Sequence, residues 1–339
     1  MLLIPLLWSA VVLPLSHGQL SFLAIGDWGG GEHPPYHSKS SMACANGMGR
    51  VARDLDTKFV VSLGDNFYYH GIPGDASHWR FKATFEDVFT AESLQTPWYV
   101  IAGNHDHVGN VTAQIGYSLK SQRWTFPHLY HTWTEAIPGT SMTLQVILID
   151  TQVLAGPPAP PRRKKRRKKH HHQHPSPASS VITASATAEH WRWLEQQLAQ
   201  STADYLWVGG HYPVWSACSH GPTDFLVKDL RPLLERYLVT GYMSGHDHCQ
   251  QYLDEQRGPR YIVTGAGNMC CYQTSHRHAV APGALKWHQS AETARKAIGG
   301  FASFTATNRS MSATFYDHSG RVIYASPPMP PRNASASGG

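Results

Sequence analysis

Seven side chains able to bind metal ions follow closely on short apolar runs that end in glycine. The five motifs are GDWG at Gly26, GDNFYYHG at Gly64, GNHD at Gly103, GGHYPVW at Gly209 and GHDH at Gly245. The candidate ligands in them are Asp27, Asp65, Tyr68, Asn104, His211, His246 and His248. Seven ligands are too many for one tetrahedral ion and suit two ions with a bridge, for which Asp65 is the natural choice. Two metals about 3.5–4 Å apart can clamp both the attacking and the leaving oxygen of a phosphoryl group.

The donor atoms divide into two chemically different sets. Asp27 and the phenol of Tyr68 are hard anionic oxygen donors, which match a trivalent ion such as Fe³⁺. A phenol has a solution pKa of about 10, so a strongly Lewis-acidic metal is needed to hold it as phenolate in acid. Asn104, His211 and His246 are neutral donors suited to a divalent ion, Fe²⁺ or Zn²⁺. This asymmetry favours hydrolysis at low pH, because a trivalent ion keeps hydroxide available in acid.

The apolar runs before these motifs predict buried β-strands, because they are short and rich in β-branched and aromatic residues. The glycine that ends each run permits a sharp turn and a close backbone approach. Strands are predicted at Ser21–Ile25, Phe59–Leu63, Trp98–Ala102, Leu144–Ile149, Tyr205–Gly209, Tyr242–Ser244, Tyr261–Thr264 and Ala313–Tyr316. Helices are predicted at Gly49–Leu55, Trp79–Phe89, Ala188–Gln200 and Leu226–Leu238. Their alternation through the first two-thirds of the chain indicates an α/β protein with helices outside stacked sheets.

In this order the five motifs resemble those of the purple acid phosphatases, in particular the small animal type, within the calcineurin-like metallophosphoesterases. The resemblance covers about residues 21–324 outside a basic insert. It implies a metallophosphoesterase-type four-layer sandwich, with two stacked mixed β-sheets flanked by α-helices. It also implies hydrolysis of phosphate monoesters in acid, with metal-held hydroxide as nucleophile. The implied Fe³⁺ ligands are Asp27, Tyr68 and His248, the divalent-ion ligands are Asn104, His211 and His246, and Asp65 bridges.

The family also uses two histidines beside its metals, and His105 and His220 match those positions. Their implied catalytic roles are to orient the phosphate and to protonate the leaving oxygen, for which a charged imidazole is needed. The sequence departs from the family before His220, where Ser219 stands in place of the Glu that animal members often carry. It also lacks cysteines near Leu154 and Phe225, so the disulfide of the mammalian members is absent.

A basic segment interrupts the alternation of strands and helices. Residues 156–186 are Pro-rich, then basic, then His-rich and finally Ser/Thr/Ala-rich, which predicts a disordered insert. The run Arg162–Lys169 carries eight positive charges, so the formal net charge of +6 leaves −2 for the rest of the chain. Three interpretations stay open: a cleavage site for an activating protease, a polyanion-binding segment, and a solvated loop without a role. No specific nucleic-acid partner is expected of a secreted chain.

The chain begins with an apolar stretch, Met1–Gly18, which predicts a cleaved secretory signal rather than a membrane span. Three sequons agree with secretion and predict a glycoprotein, at Asn110, Asn308 and Asn333. An odd number of cysteines leaves at least one thiol unpaired, and the five are Cys44, Cys218, Cys249, Cys270 and Cys271. We therefore expect a secreted or lysosomal monomer, with a metallophosphoesterase domain at 19–326 and a flexible tail at 327–339.

Two other functions compete with an acid phosphatase. The first is a related metallophosphodiesterase with two divalent metals, against which the phenol of Tyr68 argues. The second is a secreted polyanion-binding protein that acts through the basic insert. For a phosphatase, the expected substrates are phosphoproteins and aryl or nucleotide phosphates, because the site contacts the phosphoryl group more than the group attached to it.

Overall fold

The computed structural model describes residues 18–157, 182–294 and 296–332. Four predicted features lie outside these residues: the secretory signal up to residue 17, most of the basic insert, at 158–181, the sequon at Asn333, and the tail at 333–339. Within the described ranges, no helix is both long and apolar enough to cross a membrane.

Fourteen strands of the described residues form two seven-stranded sheets. In chain order they are β1 (Gln19–Ile25), β2 (Val60–Ser62), β3 (Trp98–Val100), β4 (Trp124–Thr125), β5 (His131–Ala136), β6 (Thr143–Leu148), β7 (Tyr205–Gly210), β8 (Gly241–Ser244), β9 (Gln250–Asp254), β10 (Arg260–Thr264), β11 (Leu285–Gln289), β12 (Gly300–Thr307), β13 (Met311–Asp317) and β14 (Val322–Ala325). The strand order is β14-β13-β12-β1-β2-β3-β4 in the first sheet and β11-β9-β10-β8-β7-β6-β5 in the second.

Both sheets are mixed, and their parallel strands position the candidate metal ligands. Strands β1 to β4 run parallel in the first sheet, and β6, β7, β8 and β10 run parallel in the second. Strands β12 to β14 then extend the first sheet antiparallel, with Phe304 opposite Phe22. Parallel strands end at the same edge of a sheet, so the residues that follow β1, β2 and β3 lie at one edge of the first sheet and those that follow β7 and β8 at one edge of the second.

Five α-helices lie among the described residues and flank the sheets. They are α1 (Lys39–Leu55), α2 (Val111–Tyr117), α3 (Thr151–Ala155), α4 (Ala184–Gln200) and α5 (Arg231–Arg236). Single π-helical turns occur at Lys82–Glu86 and Leu226–Leu230. Helix α1 begins after Ser38, whose side chain accepts a hydrogen bond from the Ser41 N–H, and this cap satisfies a free donor of the first turn.

Three apolar clusters fill the layers. The cluster between the sheets joins β1 to β7, with Phe22 stacked on Phe304 and Trp207 edge-on to Phe304. A second cluster packs the outer face of the first sheet against α1 and an aromatic group centred on Trp28. A third packs the outer face of the second sheet against α4, through residues such as Leu194. The predicted α/β fold, two stacked mixed sheets flanked by helices, is thereby confirmed.

The helices differ in extent from the prediction. Helix α1 starts ten residues before the predicted Gly49, because the small buried residues of its first half suit a helix packed closely on a sheet. The predicted helix Trp79–Phe89 is reduced to the turn at Lys82–Glu86 and its flanks, although Phe85 and Phe89 still point into the core. Helix α4 starts at Ala184, inside the predicted insert, where Thr183 caps it.

The beginning of the predicted flexible tail is packed on the body, so that prediction is wrong for residues 327–332. Met329 is buried and pairs with Met311 in a β-bridge. The Arg332 guanidinium donates to Ser201 Oγ at 3.0 Å and to the carbonyl oxygens of Ala203 and Tyr237 at 3.1 and 2.9 Å. The low-complexity composition of this segment predicts flexibility, but one buried apolar side chain and three hydrogen bonds hold it on the body.

Candidate metal centre

The carboxyl ends of five parallel strands bring the predicted ligands to one place. Each ligand stands in the short connection after its strand: Asp27 after β1, Asp65 and Tyr68 after β2, Asn104 after β3, His211 after β7, and His246 and His248 after β8. The preceding glycines leave room for this convergence. A Cβ at Gly64 would lie 2.7 Å from the Gly103 nitrogen and 2.8 Å from His211 Nδ1.

Three of the ligands have left-handed backbone conformations. The φ angles are 59° at Asp27, 53° at Asp65 and 68° at His246. Residues other than glycine seldom adopt such backbone angles, and those that do so are concentrated at functional sites. The glycine therefore provides space, while the sharp turn falls mainly on the ligand itself.

Six of the seven candidate ligands are joined by short contacts. Within the described residues, ligand atoms of Asp27, Asp65 and His211 all lie within 4.8 Å of one another, and all three side chains are buried. The Tyr68 hydroxyl lies 3.0 Å from Asp27 Oδ1 and 2.9 Å from His248 Nε2. His211 Nε2 lies 3.0 Å from Asn104 Oδ1.

The seventh candidate ligand, His246, adjoins this group. Its backbone N–H donates to Asp27 Oδ2 at 2.7 Å. Its ring centre lies 5.1 Å from that of His211. The structure thus brings all seven predicted side chains together, and we call them the ligand cluster.

Burial is the largest influence on the pKa values of Asp27, Asp65 and Tyr68 in the ligand cluster. Burial raises the pKa of Asp65 to about 6, and the nearby Asp27 charge adds to the rise although His211 opposes it. Burial alone would raise the pKa of Asp27, but contact with His248 and the charge of His211 hold it below its usual value. Burial and then Asp27 keep the pKa of the Tyr68 phenol well above its usual range.

The donor set fits a pair of cations. Two buried carboxylates and a buried phenol lie within 3.5 Å of imidazole nitrogens but face no Lys or Arg side chain among the described ion pairs. Such an arrangement is costly unless a cation is present. Burial and neighbouring histidines also lower the pKa of His246 far below its usual value, which keeps a lone pair free for a metal.

Residues around the ligand cluster orient its members. His211 Nδ1 lies 2.8 Å from the Leu63 carbonyl oxygen, which leaves Nε2 for a metal. The buried Asp106 carboxylate accepts from the backbone N–H groups of Asn66 and Gly103 and from the Gln114 amide. Asp106 therefore fixes the connections after β2 and β3 to each other.

The two predicted catalytic histidines flank the ligand cluster. His105 follows Asn104, its Nε2 lies 3.9 Å from Asp65 Oδ2, and its Nδ1 lies 2.7 Å from the Tyr69 carbonyl oxygen. His220 stacks on His246, with ring centres 4.1 Å apart. His105 is partly exposed and His220 is exposed, as contact with a substrate requires.

The sequence profile of the calcineurin-like phosphoesterases matches residues 20–250, a span that contains all seven members of the ligand cluster. The chain belongs to this family.

Two curated relatives resemble this phosphoesterase over nearly its whole length. Tartrate-resistant acid phosphatase type 5 of Oryctolagus cuniculus is 41% identical over 326 residues, which cover 95% of each chain. The protein of the same name from Homo sapiens is 41% identical over 324 residues, 94% of this chain and 95% of that protein. The predicted resemblance to the purple acid phosphatases is confirmed, and that group depends on binuclear metal centres.

A solved structure supports the fold of this phosphoesterase. GAP50, described as the anchor in the inner membrane complex of Plasmodium, superposes with a TM-score of 0.73 at 24% identity. The match covers 92% of this chain and 89% of that one. At this identity the likeness concerns the fold alone.

Several residues near the metal centre of this phosphoesterase were not singled out from the sequence. Tyr272 stacks on His248 with ring centres 4.7 Å apart and an interplanar angle of 6°. Asp247, between two candidate ligands, accepts from the His220 backbone N–H at 2.9 Å. Asp247 could have been predicted from its place in the GHDH motif, whereas Tyr272 belongs to no recognisable pattern.

The cysteines divide into two pairs and one free thiol. Disulfides join Cys218 to Cys249 and Cys270 to Cys271. Cys44 is the unpaired cysteine that the odd count predicts, and burial raises its pKa to about 12. The Cys218–Cys249 bond joins the loop of His220 to the connection that carries His246 and His248, a pairing that spacing alone does not reveal.

Proposed function

We propose that this protein is an acid phosphatase that hydrolyses phosphate monoesters at a binuclear centre of Fe³⁺ and a divalent ion, Fe²⁺ or Zn²⁺. The observation that carries the proposal is the buried convergence of Asp27, Asp65 and His211 within 4.8 Å. Its support comes from relatives named tartrate-resistant acid phosphatase that match 94–95% of the chain at 41% identity.

The ligand cluster divides between the two ions according to donor chemistry. Asp27, Tyr68 and His248 would hold Fe³⁺, Asn104, His211 and His246 would hold the divalent ion, and Asp65 would be shared. When bound, the metals supply Lewis acidity and lower the pKa of water, which makes a nucleophile available in acid. The Tyr68 phenol supports a trivalent ion, because its raised pKa leaves it protonated unless a highly charged cation displaces the proton.

The protein's own groups then bind and protonate the ester. His105 is held by its Nδ1 contact with the Tyr69 carbonyl oxygen, so its Nε2 is oriented towards the phosphate position beside Asp65. His220, stacked on His246, faces the same space from the opposite loop and donates its proton to the leaving oxygen. An alcohol thus leaves as a neutral molecule, and phosphate remains.

The test compares esters at fixed metal content. The purified protein should hydrolyse p-nitrophenyl phosphate and a phosphoserine peptide faster at pH 5 than at pH 7.5. It should hydrolyse bis-p-nitrophenyl phosphate much more slowly than the monoester. A preference for the diester, with two divalent metals bound, would favour the phosphodiesterase instead.

We also propose that cleavage within Arg162–Lys169 increases turnover. Support comes from the described residues before the insert: the Thr151 hydroxyl of α3 accepts from the Tyr212 N–H at 3.1 Å, next to His211. Limited trypsin treatment, stopped when cleavage is complete, should raise kcat. Equal rates before and after cleavage would reject this regulation. Heparin retention that survives deletion of residues 162–169 would likewise reject polyanion binding by the insert.

Secretion or lysosomal delivery, glycosylation and a monomeric state complete the proposal. Two disulfides support an oxidising compartment, where such bonds form and persist. Asn308 is exposed between β12 and β13, so a glycan can be attached without disturbing the core. Asn110 is partly buried, and its side chain caps α2 and donates to the Gly74 carbonyl oxygen. Glycosidase treatment with peptide mapping should therefore find Asn308 occupied more fully than Asn110.

A further inference from the structure

His220 has no side-chain hydrogen bond among the described residues, although its proposed role demands a fixed orientation. Its ring contacts are stacking on His246 and an edge contact with Tyr272, whose ring centre is 5.5 Å away. Proton transfer depends on placing the donor within hydrogen-bonding reach of the leaving oxygen. The position of His220 must therefore be set by the loop that carries it, Ser216–Gly221, which we call the His220 loop.

The buried Asp247 joins the His220 loop to the metal ligands on either side of it. Asp247 Oδ1 accepts from the His220 backbone N–H at 2.9 Å, and Oδ2 accepts from the Ser216 hydroxyl. Ser216 Oγ in turn accepts from the Cys218 backbone N–H at 3.1 Å. One carboxylate thus contacts both ends of the segment from Ser216 to His220.

Gln251 adds a second set of contacts between the same two segments. Its side-chain oxygen accepts from the Ala217 N–H at 2.8 Å, and its Nε2 donates to Ser216 Oγ at 2.7 Å. Its Nε2 also lies 3.1 Å from Cys249 Sγ. The three side chains Ser216, Asp247 and Gln251 are fully buried, so these hydrogen bonds are shielded from water.

A covalent bond lies at the centre of this network. Cys218, two residues before His220, is disulfide-bonded to Cys249, which directly follows His248. Both cysteines are fully buried. The bond therefore links the backbone of the His220 loop to the backbone of the metal-ligand motif, with very few rotatable bonds between His220 and His248.

The outer side of the loop is held by His276. Its backbone N–H donates to the Ala217 carbonyl oxygen, and its Nδ1 lies against the Cys218 carbonyl oxygen, each at 3.0 Å. Gly221, with φ of 74°, leaves the space for this ring, since a Cβ there would lie 2.8 Å from its Cγ.

We propose that the Cys218–Cys249 disulfide, with Ser216 and Asp247, is a positioning brace that fixes the His220 imidazole at the leaving-group oxygen. The inference rests on the proposed phosphatase function and assigns a role to residues outside the ligand cluster. In the step concerned, the P–O bond breaks and its electron pair stays on the leaving oxygen. That oxygen takes the imidazolium proton of His220, while water supplies the new oxygen of phosphate and its released proton recharges His220.

The brace predicts a dependence on the leaving group. An aryl leaving group such as p-nitrophenolate departs as a stable anion and needs little protonation, whereas an alkoxide such as that of glycerol phosphate needs the proton. Loss of the brace should therefore reduce hydrolysis of alkyl phosphates much more than hydrolysis of p-nitrophenyl phosphate. Displacement of a catalytic group by about 1 Å can cost on the order of 100-fold in rate.

The experiment uses the full chain expressed through an oxidising compartment and the double variant Cys218→Ala, Cys249→Ala. Substitution is preferred to a chemical reductant, which would also attack Cys270–Cys271 and any Fe³⁺. The matched control is Cys44→Ala, which removes a buried sulfur remote from the His220 loop and should leave both rates unchanged. Ser216→Ala breaks the same network without touching a cysteine and should show the same leaving-group selectivity to a lesser degree.

Two readouts decide the outcome. Non-reducing peptide mapping of the wild type should find Cys218 linked to Cys249, and alkylation of both as free thiols would overturn the brace. In the double variant, kcat for glycerol phosphate should fall on the order of 100-fold and kcat for p-nitrophenyl phosphate less than about 3-fold, at unchanged metal content. Equal losses on the two esters would overturn the brace while leaving the phosphatase intact. A wild type inactive on both esters would overturn the proposed function and the brace together.

Discussion

Two buried groups of histidine and aspartate lie near each other in this protein, and only one suits a metal. The ligand cluster holds Asp27, Asp65 and His211 with ligand atoms within 4.8 Å. The other group is the ion pair of His107 Nε2 with Asp150 Oδ2, at 2.7 Å, which we call the His107 pair. Both groups are buried, and His107 follows the candidate ligand Asn104 by only three residues.

The difference between them lies in how the carboxylates are compensated. Asp150 accepts from His107 and from the backbone N–H groups of Gln152 and Val153 at the start of α3. These partners, after the opposing effect of burial, hold the pKa of Asp150 below and that of His107 above its usual value. In the ligand cluster the pKa of Asp65 instead rises to about 6. The His107 pair thus matches one carboxylate with one imidazole, whereas the ligand cluster places two carboxylates, Asp27 and Asp65, beside His211, an arrangement that suits a cation.

The largest effect is expected from Asp65→Asn in the ligand cluster. The change removes the shared carboxylate, so both metals should be lost and hydrolysis of p-nitrophenyl phosphate should fall more than 100-fold. That is beyond the roughly 10–100-fold typical of residues that only orient ligands. Metal analysis and kcat/KM measure the effect, and circular dichroism should show a retained fold. Full metal content in the variant would contradict the bridging role.

His107→Ala should instead damage the fold. It leaves the Asp150 carboxylate buried without its cation, and breaking a buried pair in this way costs about 3–5 kcal/mol. Urea denaturation measures the loss, while the metal content of the folded protein should stay at the wild-type value. The neutral pair His107→Gln, Asp150→Asn should recover part of the stability. Loss of metal at unchanged stability would instead place His107 in the metal site.

A smaller effect is expected at His190, which stacks on Tyr130 and has no hydrogen-bond partner for either ring nitrogen within the described residues. Burial lowers its pKa to about 3, so the folded protein keeps it neutral while the unfolded chain takes up a proton below pH 6.5. Stability is therefore lost as pH falls below 6.5, by about 1.4 kcal/mol per unit. Between pH 7.5 and 4.5, the free energy of unfolding measured in urea should fall by roughly 2–3 kcal/mol less in His190→Phe than in the wild type. An unchanged pH dependence would contradict this, because it would show that His190 takes up its proton equally in the folded and unfolded states.

The ligand cluster could be predicted from sequence because each ligand is encoded locally. A buried strand, a glycine and a donor residue are adjacent in the chain, so five motifs reveal five strand ends, with Tyr68 and His248 close behind. The His107 pair could not be predicted, because its members are 43 residues apart and meet only through the fold. The same holds for the Cys218–Cys249 bond, across 31 residues.

Among the elements of the fold, the parallel strands were easier to predict than the later antiparallel ones. Strand β7 is a continuous apolar run, and so is β1 from Phe22 to Ile25, as expected of strands buried on both faces. Strand β12 mixes small and polar residues with Phe301 and Phe304, and β5 is half-exposed, so neither shows a clear apolar run. The predicted helix Trp79–Phe89 is longer than the one observed, because Phe81, Phe85 and Phe89 fill an aromatic core rather than one face of a helix.

The most direct test of the binuclear centre is the visible absorption spectrum of the mildly oxidised protein and of Tyr68→Phe, each with its metal content determined. The wild type should contain iron and a second metal and show a violet tyrosinate-to-iron band. In Tyr68→Phe the band should disappear while the other ligands keep both metals bound. A colourless wild type with two divalent ions, or a violet band that survives in Tyr68→Phe, would contradict the assignment of Fe³⁺ to Asp27, Tyr68 and His248.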